Sequence, residues 1–336
     1  MNKIMLNIRK KIENIIFYII KNWKLVIGYI FVYGFLILWA LTTIAPLVWA
    51  FMNSFKNKKL IRGHSFSIPW GDAFTLENYK EIFRKYNIGG AYKNSLIISI
   101  VVAIVVIIIA GMAAYILARY KFVGKGALTA LLYSGMMFPI FATIIPVYTM
   151  MSRLGQFLNK FGNDLMWKWL YDPDKYDWGM FIYDHKLNEI SGSLTFKLFC
   201  VIVIQIAGNM SFAIIVLSGY IKGLPVELEE AAYMEGCNIF QIYSKVILPL
   251  CKPSFITVGI FSFLWSYNDL FTQMFFLRNG DQRTITYLLN CISSQEGTNY
   301  GAMFASVSLI VIPVLIVYVA LQKYIIEGMT VGAVKG

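Results

Sequence analysis

Across 336 residues, 58% are hydrophobic and 14% charged, against roughly 45–50% and about 25% in soluble domains, and mean hydropathy is +0.62. A soluble fold this apolar lacks the polar surface to cover itself, so the excess faces lipid and the chain reads as a polytopic membrane protein. The net charge of +12 would point to nucleic acid in a soluble protein, but much of it sits at the edges of apolar segments, where Lys and Arg anchor helices at headgroups, and no aromatic-basic nucleic-acid motif accompanies it.

In chain order, residues 1–24 form a basic tail carrying Lys3, Arg9, Lys10 and Lys11. The apolar run that follows is long and lacks an Ala-x-Ala-like cleavage site, which predicts an uncleaved first membrane helix rather than a secretory signal. A helix needs about 20 mostly apolar residues to cross a bilayer, because backbone groups cannot stay unpaired in hydrocarbon. Six segments qualify: residues 25–55, 95–118, 126–152, 198–221, 253–277 and 297–322. The third holds Pro139 and Pro146, which either kink it or are tolerated by neighbours that satisfy the freed carbonyls. The fold class expected is therefore all-α with six transmembrane helices.

The loops between these segments differ in length. The longest, an insertion over 153–197, is rich in Asp, Trp and Tyr, including Trp167, Trp169, Tyr171 and Trp178. It reads either as a surface for an external partner or solute, or as an aromatic belt or self-packed lid. Six crossings put both termini on one side. Lys and Arg totals are nearly equal on the two sides, but the short segments that weigh most, the tail and 119–125, favour a cytoplasmic N-terminus.

Chemistry is sparse. Only two histidines occur, and Cys200, Cys237, Cys251 and Cys291 are scattered without a Cys-x-x-Cys pair. No metal site and no disulfide framework is expected, and the cysteines read as small apolar residues. No clustered Ser/His/Asp set suggests an enzyme.

The segment 222–252 has a pattern of its own, read as two short helices. Pro225 suits a first helical position, Glu227, Glu229 and Glu230 suit the early turns, Gly236 a C-terminal cap and Asn238 an N-cap. Ala231 and Ala232 beside Gly236 leave little side-chain bulk, while Ile239, Phe240, Ile242 and Tyr243 supply apolar knobs. Physics alone leaves two readings open: an element that docks against another protein, or an amphipathic pair lying on its own membrane domain.

This segment resembles a known signature. Glu230-Ala231-Ala232, three residues, Gly236, nine residues, then Val246-Ile247-Leu248-Pro249 is similar to the loop of the inner-membrane permeases of binding-protein-dependent ABC importers. The one departure is Val246, where the family pattern has Ile. The resemblance implies the type I importer permease architecture. It also implies that Glu230, Ala231, Ala232, Gly236, Leu248 and Pro249 form a cytoplasmic loop docking on a separate ATPase dimer, with both termini cytoplasmic. The C-terminal tail 323–336, ending Gly332-Ala333-Val334-Lys335-Gly336, and the stretch from Phe263 to Asp269 resemble the carbohydrate-uptake branch, the maltose-type second subunit. The 153–197 insertion is longer than that branch leads one to expect. The implied partners are a second, different permease, an extracytoplasmic solute-binding protein, a sugar substrate and lipid, in a bacterial cytoplasmic membrane. No phosphate loop occurs, and Gly124-Lys125-Gly126 lacks the required leading glycine, so ATP and Mg are expected on the partner alone.

Polar residues inside membrane helices are costly and tend to face the bundle interior or a cavity. Ser262, Ser266, Asp269 and Gln273 recur at helical spacing on the fifth segment, with Trp265, Tyr267 and Asn268 beside them. An aromatic face next to hydrogen-bonding groups suits a sugar, whose C–H faces are apolar and whose edges carry hydroxyls. The alternatives are plain interhelical hydrogen bonding, or an Asp269 at the outer interface. Gln205, Asn209 and Ser211 are a second candidate set on the fourth segment. The rival functions are an importer of amino acids, phosphate or metal, and an ion-coupled carrier or channel. The latter usually carries several intramembrane acids, and only Asp269 offers itself.

Overall fold

A computed structural model describes residues 22–161, 194–278, 280–295 and 299–333, and among them helices and connecting turns occur without strands. The basic tail, most of the 153–197 insertion with its tryptophans, and the last residues of the C-terminal tail lie outside the described residues. Among the described residues four helices are long and apolar enough to cross a membrane: α1 (Trp23–Ser54), α4 (Ile88–Arg119), α7 (Leu194–Lys222) and α13 (Tyr300–Ala333). Two bent pairs bring the total to six if each is one span. In chain order between them lie α2 (Lys58–Gly63), α3 (Glu77–Lys85), α5 (Lys125–Met137), α6 (Ile140–Phe161), α8 (Glu227–Met234), α9 (Ile239–Leu250), α10 (Lys252–Asn268), α11 (Phe271–Phe276) and α12 (Ile285–Gln295).

The chain divides into two units. The first comprises residues up to Tyr79 together with Asn299–Ser308. Within it α1 ends in a hydrogen-bonded knot. Asn78 Nδ2 donates to the carbonyls of Ser54 and Lys56, each at 2.8 Å, which satisfies acceptors that a helix C-terminus leaves orphaned. Lys56 is fully buried, and its Nζ donates to Asn53 Oδ1, His64 O and Ser65 O. Trp49 meets Phe304 edge-on at 5.0 Å. Gly301 has no room for a side chain, since an added Cβ would lie 2.2 Å from Asn78 Oδ1.

The second unit runs over Lys80–Thr298 and Leu309–Gly336. Its core is built on two rows of residues spaced by four, which lie along one face of a helix. On α4 the row is Ile98, Val102, Val106, Ala110 and Ala114, all fully buried. On α7 it is Val201, Gln205, Asn209, Ala213, Leu217 and Ile221, also buried. Small residues on α4 allow close approach: a Cβ on Gly111 would stand 2.5 Å from both Phe255 Cε1 and Tyr243 Oη. The C-terminal part of α13 is held by Thr257 Oγ1, which donates to Tyr324 O at 2.9 Å, and by Tyr92 Oη, which donates to Leu309 O.

Two expected spans are not single helices. The third, 126–152, breaks at Pro139 into α5 and α6, bent by 104°. Proline pushes the residue before it out of the helical region, and Phe138 is extended with ψ 119°. Pro146 is accommodated inside α6. The fifth, 253–277, stops at Asn268. Asp269 takes an extended conformation with ψ 114° and α11 restarts at Phe271, so the expected polar stripe does not lie on one continuous helix. Adjacent Asn and Asp offer the backbone competing local hydrogen bonds, a stop signal that the apolar run around them conceals.

Candidate functional site

Two places in the second unit gather the residues singled out above. The first is the 222–252 loop. α8 begins two residues later than Pro225 at N1 would require, with Val226 as N-cap and Glu227, Glu229 and Glu230 in the first turn. It ends in a Schellman motif. Gly236 N donates to Tyr233 O at 3.0 Å, Cys237 N donates to Ala232 O at 3.1 Å, and Gly236 sits at φ +84°. α9 then opens with a capping box. Asn238 Oδ1 accepts from Gln241 N at 2.9 Å, and Asn238 N donates to Gln241 Oε1 at 2.8 Å. Pro249 has no N–H to return to the carbonyl four residues back, and a π turn over Tyr243–Ile247 precedes it. α9 meets α10 at Cys251 with a bend of 80°.

The loop is two-faced. Ala232, Ile242, Tyr243 and Ile247 are buried against the core. Glu230, Ala231, Gly236, Leu248 and Pro249 are exposed, as are Met234 (85%), Phe240 (70%) and Ile239 (56%). The apolar knobs therefore split, Ile242 and Tyr243 inward and Ile239 and Phe240 outward. A recess of about 550 Å³ at the loop is lined by residues of both faces, among them Tyr115, Glu229, Glu230, Met234, Ile239 and Ile242.

Glu229 ties the loop to α4. Its Oε1 accepts from Arg119 Nε and its Oε2 accepts from Tyr115 Oη at 3.0 Å, in an ion pair with side chains only 10% and 12% exposed. Arg119 Nη2 also donates to Leu224 O at 3.0 Å, so one guanidinium holds both the approach to the loop and its first helix. Arg119 and Glu229 are 110 positions apart, and nothing local in the sequence announces the pair.

The second place is a cavity of about 820 Å³ among α5, α6, α7 and the α10–α11 break. Trp265, Ser266, Asn268, Asp269, Gln205 and Asn209 line it. Gln205 is its hub. Ser266 Oγ donates to Gln205 Oε1 at 2.5 Å, and Gln205 Nε2 donates to Asp269 Oδ2 at 2.7 Å. Asp269 Oδ1 accepts from Thr272 N at 3.2 Å, capping α11. Gln273 Nε2 donates to Ser266 O at 3.1 Å, and Thr284 Oγ1 donates to Gln273 Oε1. Asn209 Nδ2 donates to Gln205 O at 2.8 Å, while its Oδ1 is buried without a partner among the described residues. Trp265 is half exposed within an aromatic cluster, its ring 4.8 Å from that of Phe212 and 6.4 Å from that of Phe261.

Not every expected residue arrives there. Ser262 is fully buried and does not line the cavity, and Tyr267 is buried behind it, its carbonyl accepting from Thr286 Oγ1. Asp269 lines the cavity. Phe212 was not among the sequence candidates, since one Phe on an apolar helix carries no distinguishing mark.

The family described as "Binding-protein-dependent transport system inner membrane component" matches residues 107–331. The diacetylchitobiose uptake system permease protein NgcG of Streptomyces coelicolor is 27% identical over 305 residues, covering 90% of this chain and 88% of that one. The multiple sugar-binding transport system permease protein MsmG of Streptococcus mutans is 29% identical over 313 residues, covering 92% and 98%. A solved bacterial ABC transporter involved in the import of the acidic polysaccharide alginate contains a chain of the same fold, with TM-score 0.66 and 22% identity over 89% of this chain and 96% of that one. A multi-pass helical chain that keeps the signature loop and matches the family over most of its length belongs to the inner membrane components of binding-protein-dependent transport systems, a transport subunit rather than an enzyme.

Proposed function

We propose that this chain is one permease subunit of an ATP-driven importer of oligosaccharides in a bacterial cytoplasmic membrane, with both termini cytoplasmic. The reading is carried by the Glu230–Pro249 loop: its outer face is apolar and acidic, and its inner face is tied to α4 through Arg119 and Glu229. Such an element passes a push from outside to a membrane helix. A separate ATPase dimer, binding the ATP and Mg, is the partner for the outer face. A second, different permease completes the path, and an extracytoplasmic binding protein delivers the solute. The sugar assignment is supported by the relatives' roles as sugar permeases and by a cavity with an indole beside amide and carboxylate groups. Its size falls within the roughly 300–1,000 Å³ of small-molecule sites.

Transport then follows an alternating-access cycle. Closure of the ATPase dimer moves α8 and α9. Arg119 and Glu229 convey that motion to α4, and the cavity lined by Asn209, Trp265, Ser266, Asn268 and Asp269 changes its open side. Coupling of this kind requires two states with different contacts at the loop.

The test is uptake of labelled sugar into proteoliposomes holding the complete transporter. Glu230 is exposed, and Glu230→Lys is expected to abolish uptake while leaving the thermal stability of this chain unchanged. Wild-type uptake by both Glu230→Lys and Gly236→Val would overturn the assignment.

A further inference from the structure

The cavity carries information about the class of solute. Its lining includes one ionisable side chain, Asp269, and no Lys, Arg or His among the described residues. Both carboxylate oxygens accept from N–H donors, Gln205 Nε2 and Thr272 N, an arrangement suited to the ionised group, which is acceptor-only. These donors are neutral and leave the negative charge uncompensated. The carboxylate has about four lone-pair sites, so two remain for a solute.

Asn209 adds to this. Its Nδ2 is committed within α7, and what is left is Oδ1, buried and without a partner among the described residues. A buried orphan acceptor in a cavity wall suits an outside donor. Trp265 and Asn268 add N–H donors, but neutral ones.

We infer that this cavity takes an uncharged or ammonium-bearing oligosaccharide and turns away acidic ones. The inference rests on reading the cavity as part of the solute's path. Hydroxyl and ammonium hydrogens match the free acceptors, whereas a uronate carboxylate would face Asp269 with no cation between them. Like charges several ångströms apart in a partly desolvated site repel strongly.

The complete transporter, purified through a tag on this chain and held in lipid nanodiscs without its binding protein, would be probed by saturation-transfer NMR. The probes are maltotriose, the glucosamine trisaccharide and trimannuronate. Maltotriose and the glucosamine trisaccharide are expected to bind, with trimannuronate about tenfold or more weaker. Asp269→Asn should close that gap, and so should Thr143→Lys, which places a cation in the cavity lining without replacing a member of the Asp269 network. Asn209→Leu should weaken all three. Trimannuronate binding as tightly as maltotriose to the wild type, or a gap that both charge variants leave intact, would overturn the charge inference and leave the path reading standing. Saccharide signals no stronger than those of Asn209→Leu would overturn the path reading, and this inference with it.

Discussion

Gly236 shows why a single residue type is required. Its φ of +84° lies in the left-handed region, yet a Cβ there would meet nothing within 4 Å. The requirement is conformational and not one of space. A β-branched residue pays most in that region, roughly 1–2 kcal/mol, while Asn is tolerated. Gly236→Val is therefore expected to unravel the Schellman turn and depress uptake, and Gly236→Asn to keep most of it. Equal loss in the two variants would show that the site needs an absent side chain instead. Glu229 and Glu230 illustrate the opposite case, two neighbours of the same type with different work. Glu229 is held by Arg119 and Tyr115 with its side chain 12% exposed, whereas Glu230 is exposed, although both line the recess.

Among elements, the contact of α4 with α8, α9 and α10 is the mechanical link proposed above. Breaking a mostly buried ion pair from one side strands the other charge, at a cost on the order of 3 kcal/mol. Arg119→Glu and Glu229→Arg alone should each lower the thermal midpoint of the chain and uncouple ATP hydrolysis from uptake. The double exchange should restore part of both, read as a coupling energy in a double-mutant cycle. If the double exchange were no better than the single changes, the pair would not be the link. Gly111 sets the spacing of the same contact. Gly111→Ala would press a methyl group against the Phe255 ring and the Tyr243 hydroxyl, and overpacking of this kind costs about 1–3 kcal/mol. The expected result is a lowered midpoint in detergent, with the membrane insertion of the chain unchanged.

At the scale of the molecule, this is a component rather than a machine. Helix α1 is apolar around its circumference, the pattern of a membrane span rather than of a helix with one face in water. The sequence carries no phosphate loop, so the purified chain is expected to show no ATP turnover. Turnover should appear when the ATPase partner is added, and disappear again when Phe240 and Met234 are both changed to Asp. Hydrolysis by the chain alone, in a preparation shown free of ATPase subunits, would contradict the division of labour.

What the sequence determined by itself was the solvent and the signature. Composition and apolar run length require lipid, because a chain this hydrophobic cannot cover itself with polar atoms. The capping residues of the loop, Gly236 and Asn238, were legible because caps act on their own backbone neighbours. The tertiary structure decided whatever depends on which residues meet. Arg119 and Glu229 are distant in sequence, as are Gln205 and Asp269, and no periodicity links either pair. The breaks at Pro139 and Asp269 were likewise hidden, since hydropathy counts apolar residues and is blind to a helix that stops within them. Side-chain spacing defines a face only while the helix continues. Once α10 ends at Asn268, it is the fold that brings Asp269 back beside Ser266, through Gln205 of another helix.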